Sequence, residues 1–129
     1  YVAETTHNGT PLKEDPRIRD LLAQADIELE VAGVLADHSR WLESNGLPMT
    51  YEPEVTKIFV SELEQRLAAA AMSILGLYSQ LLEGSKRVPI RGRISWEYLH
   101  SFMTTLGGGT SEVGRSVIAQ RGLGLPRSF

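Results

Sequence analysis

The sequence predicts an all-α fold: an antiparallel helical bundle of two long helices followed by two shorter C-terminal helices. Apolar residues recur at three- and four-residue spacings over long stretches, as they do along one face of a helix. Each stretch begins near a proline or a capping residue and ends near a glycine. No stretch reads as a strand, and 129 residues are enough for one domain with its own core.

The first long helix is predicted over residues 15–45. Asp15 suits the N-cap, and Pro16 suits the first helical position, where its missing N–H is harmless. Gly46 suits the position after the C-cap, and Pro48 prevents the helix from continuing. The predicted inward stripe contains Ile18, Leu21, Leu22, Ala25, Leu29, Val34, Leu35, His38, Trp41 and Leu42.

The second long helix is predicted over residues 53–83, from Pro53 to just before Gly84. Its alanine run, Ala68–Ala71, favours helix and lets a neighbouring helix approach closely. Its predicted stripe contains Val55, Ile58, Phe59, Leu63, Leu67, Ala70, Ala71, Ile74, Leu75 and Leu81.

The two shorter helices are predicted over residues 95–106 and 110–122. Ser95 is the expected cap of the third helix, and Thr110 or Ser111 of the fourth. The residues expected to face the core are Trp96, Leu99, Phe102, Met103 and Leu106 on the third helix, and Val113, Val117 and Ile118 on the fourth. The sequence "GLGLPRSF" then reads as a tail.

Residues 1–8 read as the end of an earlier helix, followed by a turn at "NGTP". The chain opens with Tyr1 rather than Met, so we expect it to be part of a longer protein. A bundle that lacks most of its first helix leaves an apolar face uncovered. We therefore expect another chain to cover that face.

Composition excludes several classes of protein. The formal net charge of −3 argues against a dedicated nucleic-acid binder. The absence of cysteine excludes disulfides and thiolate chemistry. No signal peptide and no apolar run long enough for a membrane span is present, so we expect a cytoplasmic protein.

Most candidate chemical groups have an ordinary structural interpretation. The three histidines, at positions 7, 38 and 100, lack the spacing of a helical metal motif, so no metal site is predicted. His38 falls on the apolar stripe and is expected to be a hydrogen-bonded core or edge residue. The carboxylate pairs Glu28/Glu30 and Glu62/Glu64 diverge on a helix and favour solvated faces. A solvated loop is likewise expected for the basic cluster of Lys86, Arg87, Arg91 and Arg93.

The glycine run, Gly107–Gly109, is the strongest candidate site. Glycine permits positive φ and lets another group approach bare backbone. The cap and the free N–H groups of the following helix favour a negative ligand. From these residues alone, a hinge between two helices and an anion cradle remain equally good interpretations.

A longer stretch, "GGGTSEVGRSVIAQRGLGLPR", resembles the C-terminal signature of acyl-CoA dehydrogenases. The stretches "PLKEDPRIRDLLAQADIELE" and "EVTKIFVSELEQRLAAAAMSILG" are similar to helices of the same family. The likeness covers about residues 9–127 and is closest to bacterial, especially actinobacterial, members. It implies that the chain is most of the family's C-terminal helical bundle, without its first helix.

The resemblance implies an FAD-dependent flavoprotein of fatty-acid or lipid metabolism, which oxidises an acyl-CoA to the 2-enoyl-CoA. It implies a homo- or hetero-oligomer, with a tetramer expected. Electrons would pass to an electron-transfer flavoprotein or a similar acceptor. The segment alone is expected to be inactive, because it would supply bundle packing, oligomer contacts and only part of the FAD and thioester site.

The resemblance also implies roles for individual residues. Thr110, Ser111 and Glu112 match positions that contact FAD, and Gly108 and Gly109 match positions beside the acyl thioester. In many relatives the position of Gly108 holds the catalytic Glu, and glycine cannot abstract a proton. Relatives with a small residue there place the Glu on the bundle's first helix, so no catalytic base is assigned to this chain.

Two departures from the family pattern leave two functions open, a divergent active enzyme and an alternative. The stretch "AETTHNG" lacks the Arg that often contacts FAD phosphates. The stretch "SILGLYSQ" keeps Gly76 of a Q-x-x-G-G-x-G element but has Ser73 and Leu77 in place of its Gln and second Gly. The alternative is a non-catalytic structural subunit of a mixed oligomer. A free-standing bundle that binds other proteins is the third possibility.

Overall fold

The computed structural model describes residues 1–127 and is all-α, as predicted. Its helices are α1 (Pro16–Ser44), α2 (Glu52–Leu75), α3 (Arg93–Thr104) and α4 (Ser111–Val117). The central helix is α2, which packs against α1, α3 and α4. The last two residues of the predicted tail, 128 and 129, lie outside the described residues. Within residues 1–127 no helix combines the length and the apolar character that a membrane crossing requires.

The N-terminal residues differ from the predicted helix end. Residues 1–5 form one turn, in which the Thr5 N–H donates to the Tyr1 carbonyl at 3.0 Å. A short antiparallel pair follows, β1 (Thr6–His7) with β2 (Thr10–Pro11). The predicted turn at "NGTP" is present, with φ of 51° at Asn8 and 83° at Gly9. Positive φ at both central residues is the two-residue hairpin geometry that Asn-Gly favours, which accounts for the pair of strands that the prediction missed.

Both ends of α1 lie within one residue of the predicted bounds. The Asp15 carboxylate accepts a hydrogen bond from the Arg17 N–H at 2.9 Å, and Pro16 occupies the first helical position, as predicted. At the other end, the N–H of Gly46 donates to Glu43 O at 3.1 Å and that of Leu47 to Leu42 O at 3.0 Å. These two bonds form a Schellman motif, which ends the helix at a glycine with positive φ.

The helix α1 carries two apolar stripes rather than the single inward stripe predicted. One stripe lies along α2, where the Ser39 and Thr56 hydroxyls are 3.3 Å apart; its buried or half-buried members are Ile18, Leu21, Ala25, Glu28, Ala32, Leu35, Ser39 and Leu42. The other stripe is exposed and contains Ile27, Val31, Val34, His38 and Trp41. Leu22 and Leu29 are exposed as well. The prediction combined residues about 100° apart around the helix, so part of its stripe faces away from α2.

The helix α2 is shorter than predicted. It ends at Leu75 instead of residue 83, and a 3₁₀ helix continues over Gly76–Gln80. Gly76 has φ 57° and ψ −138°, a conformation that residues with a side chain avoid. Gly76 therefore ends the helix, in place of the predicted Gly84. Every residue of the predicted α2 stripe is buried or half-buried.

The start of α3 also differs from the prediction. The helix begins at Arg93 after Gly92, and Ser95 is not its cap. The buried Ser95 hydroxyl donates instead to the carbonyls of Ser79 and Leu81. A Cβ on Gly92 would lie 2.6 Å from the backbone N of Glu83, so only glycine permits this close crossing of the chain.

The apolar face of α3 points outward, contrary to the prediction. Its two most buried residues are Ser95 and Ser101, whose small side chains let α3 lie close to α2. The residues predicted to face the core are exposed instead: Trp96 by 58%, Leu99 by 67%, Phe102 by 48%, Met103 by 61% and Leu106 by 57%. An exposed apolar surface of this extent is typical of an interaction face.

Candidate functional site

The glycine run forms a tight turn between α3 and α4. The Gly107 N–H donates to Met103 O at 2.9 Å, and the Gly109 N–H donates to Leu106 O at 3.3 Å. Gly108 and Gly109 have φ of 71° and 110°. A Cβ built on either residue meets nothing within 4 Å. The turn therefore requires glycine for its backbone conformation and leaves bare backbone open to another molecule.

The turn ends at Thr110, which caps α4 as predicted. Its hydroxyl oxygen accepts a hydrogen bond from the Val113 N–H at 3.3 Å. Glu112 lies in the first turn, and its pKa is held below the ordinary value of 4.5. The main causes are the interaction of its carboxylate with its own backbone N–H and with the Thr110 hydroxyl. Glu112 thus supplies negative charge at this helix end.

Ser111 is the buried polar residue of the site. It is 6% exposed, and its hydroxyl has no hydrogen-bond partner within the part of the chain that the structure describes. It lines an open cavity of about 570 Å³ between α2, α3 and α4. Glu112, Gln65 and Tyr98 also line this cavity. A buried hydroxyl without a partner is costly, and such groups commonly serve a bound ligand or water.

Close packing against α2 positions the N-terminal end of α4, called its head below. A Cβ on Gly114 would lie 2.9 Å from Cδ1 of Ile58, so the absence of a side chain allows this approach. Arg115 donates to Glu62 Oε1 at 2.6 Å. Val113 was predicted to face inward but is 56% exposed, because Ser111 and Gly114 occupy the inner face.

Two further residues of α2 hold the turn from the side. Lys57 donates to the carbonyls of Thr105 and Gly109, at 3.1 and 2.5 Å. Gln65 donates to the Thr105 hydroxyl oxygen at 3.3 Å. Neither residue was predicted from the sequence, because both lie 40 to 52 positions from their partners and carry no local motif.

The carboxylate pairs differ from the predicted solvated faces. Glu28 accepts from Arg66 at 2.9 Å and joins α1 to α2, as Glu62 joins α2 to α4. Glu30 and Glu64 are exposed. One member of each pair thus bridges two helices, and only the other is solvated. The basic residues Lys86, Arg87, Arg91 and Arg93 are all exposed, as predicted.

The histidines do not converge on the site. His38 is exposed and stacks on Trp41, with ring centroids 6.3 Å apart, so the prediction of a core or edge histidine is wrong. His100 stacks in the same way on Trp96 at 4.5 Å, and His7 is exposed in the hairpin. Over residues 1–127 no three histidine, aspartate or glutamate side chains come together as a metal-binding group.

The two stretches that depart from the family pattern meet at a second cavity. This cavity of about 520 Å³ is lined by Thr5, Thr6 and His7 from the N-terminal residues and by Ser73, Gly76 and Leu77 from the end of α2. Arg17 also lines the cavity, but its guanidinium is paired with Asp15 at 3.2 Å. The second cavity shares no lining residue with the cavity beside Ser111.

Comparisons with known proteins agree with the resemblance. A family model described as acyl-CoA dehydrogenase, C-terminal domain, matches residues 1–123. The chain is 33% identical over 81 residues to acyl-CoA dehydrogenase FadE26 of Mycobacterium tuberculosis, covering 63% of the chain and 20% of that protein. It is 30% identical over 120 residues to acyl-CoA dehydrogenase IpdE1 of Mycolicibacterium smegmatis, covering 92% of the chain and 28% of that protein.

A solved structure of similar fold is the crystal structure of the ChsE4-ChsE5 complex from Mycobacterium tuberculosis. The TM-score is 0.87 at 28% sequence identity, covering 98% of this chain and 33% of that chain. The chain thus spans between a fifth and a third of the length of these relatives. The family match extends over nearly all of residues 1–127, so the chain belongs to the acyl-CoA dehydrogenase family, as its C-terminal helical domain.

Proposed function

We propose that this chain is the C-terminal part of an FAD-dependent acyl-CoA dehydrogenase, which oxidises an acyl-CoA thioester to the 2-enoyl-CoA. The observation that carries the proposal is the Ser111 hydroxyl, buried and without a partner among the described residues, beside a turn of open glycine backbone. A polar atom of a ligand would complete the hydrogen bonding of Ser111. Bare backbone at Gly108 and Gly109 would let a planar group approach closely.

The residues of the segment fit a flavin and a thioester in different ways. Thr110, Ser111 and Glu112 are the proposed FAD contacts, and Gly108 and Gly109 the proposed thioester contacts. The negative charge that Glu112 already places at the head of α4 disfavours a phosphate there. A neutral hydroxyl or ring edge of the cofactor is therefore the group expected beside Ser111. Bound FAD would supply the acceptor for the substrate hydride.

The chain would orient the substrate without transferring its proton. Gly108 has no side chain, so it cannot act as the base that removes the α proton. A carboxylate from elsewhere in the full-length protein is required for that step. What Gly108 contributes is an open backbone at φ 71°, which keeps side chains away from the thioester.

A non-catalytic subunit of a mixed oligomer is the second candidate function. Its support is the second cavity, where residues 73 and 77 depart from the Q-x-x-G-G-x-G element implied by the resemblance and where Arg17 is already paired with Asp15. The exposed apolar faces of α1 and α3 supply surfaces for a partner chain. A relative of 28% identity was crystallised as the ChsE4-ChsE5 complex. The first candidate fits a homo- or hetero-oligomer that passes electrons to an electron-transfer flavoprotein or a similar acceptor, whereas the second requires a hetero-oligomer with a catalytic subunit.

Flavin content distinguishes the two functions. The full-length protein, with any residues beyond these 129 in place, would be purified alone and scanned for flavin absorbance before and after adding FAD. A yellow protein that reduces its flavin when an acyl-CoA is added supports the dehydrogenase. A colourless protein that stays colourless with FAD, yet takes up flavin when mixed with a related subunit, supports the structural role.

A further inference from the structure

The side chain of Lys57 links both ends of the glycine turn to α2. Its ammonium group donates to Thr105 O, at the end of α3, and to Gly109 O, immediately before the cap of α4. In the described part of the chain, neither carbonyl accepts a hydrogen bond from a backbone N–H. One cation therefore satisfies two carbonyl groups that the helix end and the turn leave without a backbone partner.

Besides Lys57, the turn is held by the hydrogen bond from Gln65 to the Thr105 hydroxyl and by the local backbone bonds of Gly107 and Gly109. Glycine loses more conformational freedom on folding than any other residue, and three lie in succession at positions 107–109. A Cβ built on Gly108 or Gly109 meets nothing within 4 Å, so no neighbouring element packs against either residue on that side. Lys57 is half-buried on α2, which packs against both α3 and α4. Its two hydrogen bonds therefore fix the turn relative to the most contacted helix of the fold.

We propose that Lys57 is a positioning residue, which sets the place of the open Gly107–Gly109 backbone relative to Ser111 through its bonds to Thr105 and Gly109. The proposal rests on the proposed function for its catalytic meaning, since this turn is the part expected to meet the flavin and the thioester. The charge of Lys57 also stabilises this arrangement, because a cation interacts favourably with the carbonyl end of a helix, here α3. Hydrogen bonds to charged groups are also stronger than neutral ones.

Hydrogen exchange of the turn amides tests the positioning role directly. In the full-length protein, Lys57→Met should speed the exchange of the Gly107 and Gly109 amides by about tenfold or more. Amides in the middle of α1 should exchange as in the wild type. Lys57→Arg, which keeps the charge and can donate to two acceptors, should restore much of the protection. Arg19→Met, which removes one exposed cation from α1, is the matched control and should leave the turn unchanged.

Flavin occupancy, measured on the same samples, separates this proposal from the proposed function. Faster exchange together with lower occupancy in Lys57→Met supports both. Faster exchange with unchanged occupancy supports the positioning role and contradicts flavin contact at the turn. Unchanged exchange in Lys57→Met overturns the positioning role, whatever the occupancy. If Lys57→Met does not fold, Lys57→Gln, which keeps a donor but loses the charge and reach, is measured against the same criteria.

Discussion

Arg115 of α4 and Glu62 of α2 are joined by a hydrogen bond of 2.6 Å between Nη2 and Oε1. The two residues lie 53 positions apart in the sequence. Their side chains are 55% and 33% exposed, so water and salt weaken the attraction without removing it. This pair and the close packing at Gly114 together place the head of α4, where the candidate site lies.

A double-mutant cycle measures the strength of this pair. Arg115→Ala, Glu62→Ala and the double variant should give a coupling free energy of about 0.5–1 kcal/mol, falling as salt is added. The control is the Asp37/Arg40 pair within α1, in which both side chains are 72% exposed. Its coupling should be smaller. A coupling at Glu62/Arg115 no larger than in the control would mean that the pair does not help to dock α4.

The close approach at Gly114 predicts opposite effects at two helical glycines. Gly114→Val places a branched side chain against Ile58 and Glu54, so it should destabilise the protein by about 1–3 kcal/mol. Gly33 has nothing within 4 Å of a built Cβ and has no positive φ. Gly33→Ala should therefore stabilise the protein, by about 0.5–1 kcal/mol. Chemical denaturation checks both changes, and a neutral Gly114→Val would contradict the packing of α4 on α2.

Because Asp15 caps α1, we expect its replacement by Ala and by Asn to change the free energy of unfolding by different amounts. Asp15→Ala removes the acceptor for the Arg17 N–H and should lower the free energy of unfolding. Asp15→Asn keeps an acceptor oxygen and should cost much less. The same denaturation measurement compares the two variants with the wild type. Equal losses in both would show that the charge, through its pairing with the Arg17 side chain, matters more than the cap.

The lowered pKa of Glu112 predicts that this residue makes a pH-dependent contribution to the free energy of unfolding. Because folding lowers the pKa of this carboxyl below 4.5, its ionised form favours the folded state. The contribution is present above pH 4.5 and is lost as the pH falls through the lowered pKa. The wild type should thus be more stable than Glu112→Gln near pH 7, and the difference should shrink below pH 4.5. Unfolding at several pH values checks this, and a difference that grows on acidification would contradict it.

Local signals predicted the helices, whereas contacts distant in sequence determined the site. Asp15, Gly46 and Thr110 act through neighbours within a few residues, and the structure confirms each of them. The sequence predicted that the second helix ends before Gly84, whereas the structure ends it at Gly76, whose φ and ψ no local pattern revealed. The bonds of Lys57, by contrast, depend on how α3 and α4 lie against α2, which no local pattern encodes.

The orientation of α3 illustrates the same limit. Its apolar residues have helical spacing, and the usual inference places them in the core. The structure buries Ser95 and Ser101 instead and exposes Trp96 and Leu99. Amphipathicity predicts that a face will be covered but not by which chain. The exposed apolar face of α3 therefore fits the separate expectation that another chain covers an apolar face of this domain.

Under the proposed function, the capped N-terminal end of α4 contacts the flavin, and Gly109, beside the thioester, lies directly before that end. Flavin occupancy of Gly109→Val in the full-length protein, compared with that of Gly84→Val, checks this contact. Both positions have positive φ, 110° at Gly109 and 92° at Gly84, and open space around a built Cβ, so a β-branched side chain strains the backbone at both. Only Gly109 adjoins the candidate site. Gly109→Val is expected to lose most of its flavin while Gly84→Val keeps it; equal occupancy in the two variants would rule out flavin contact at this end of α4.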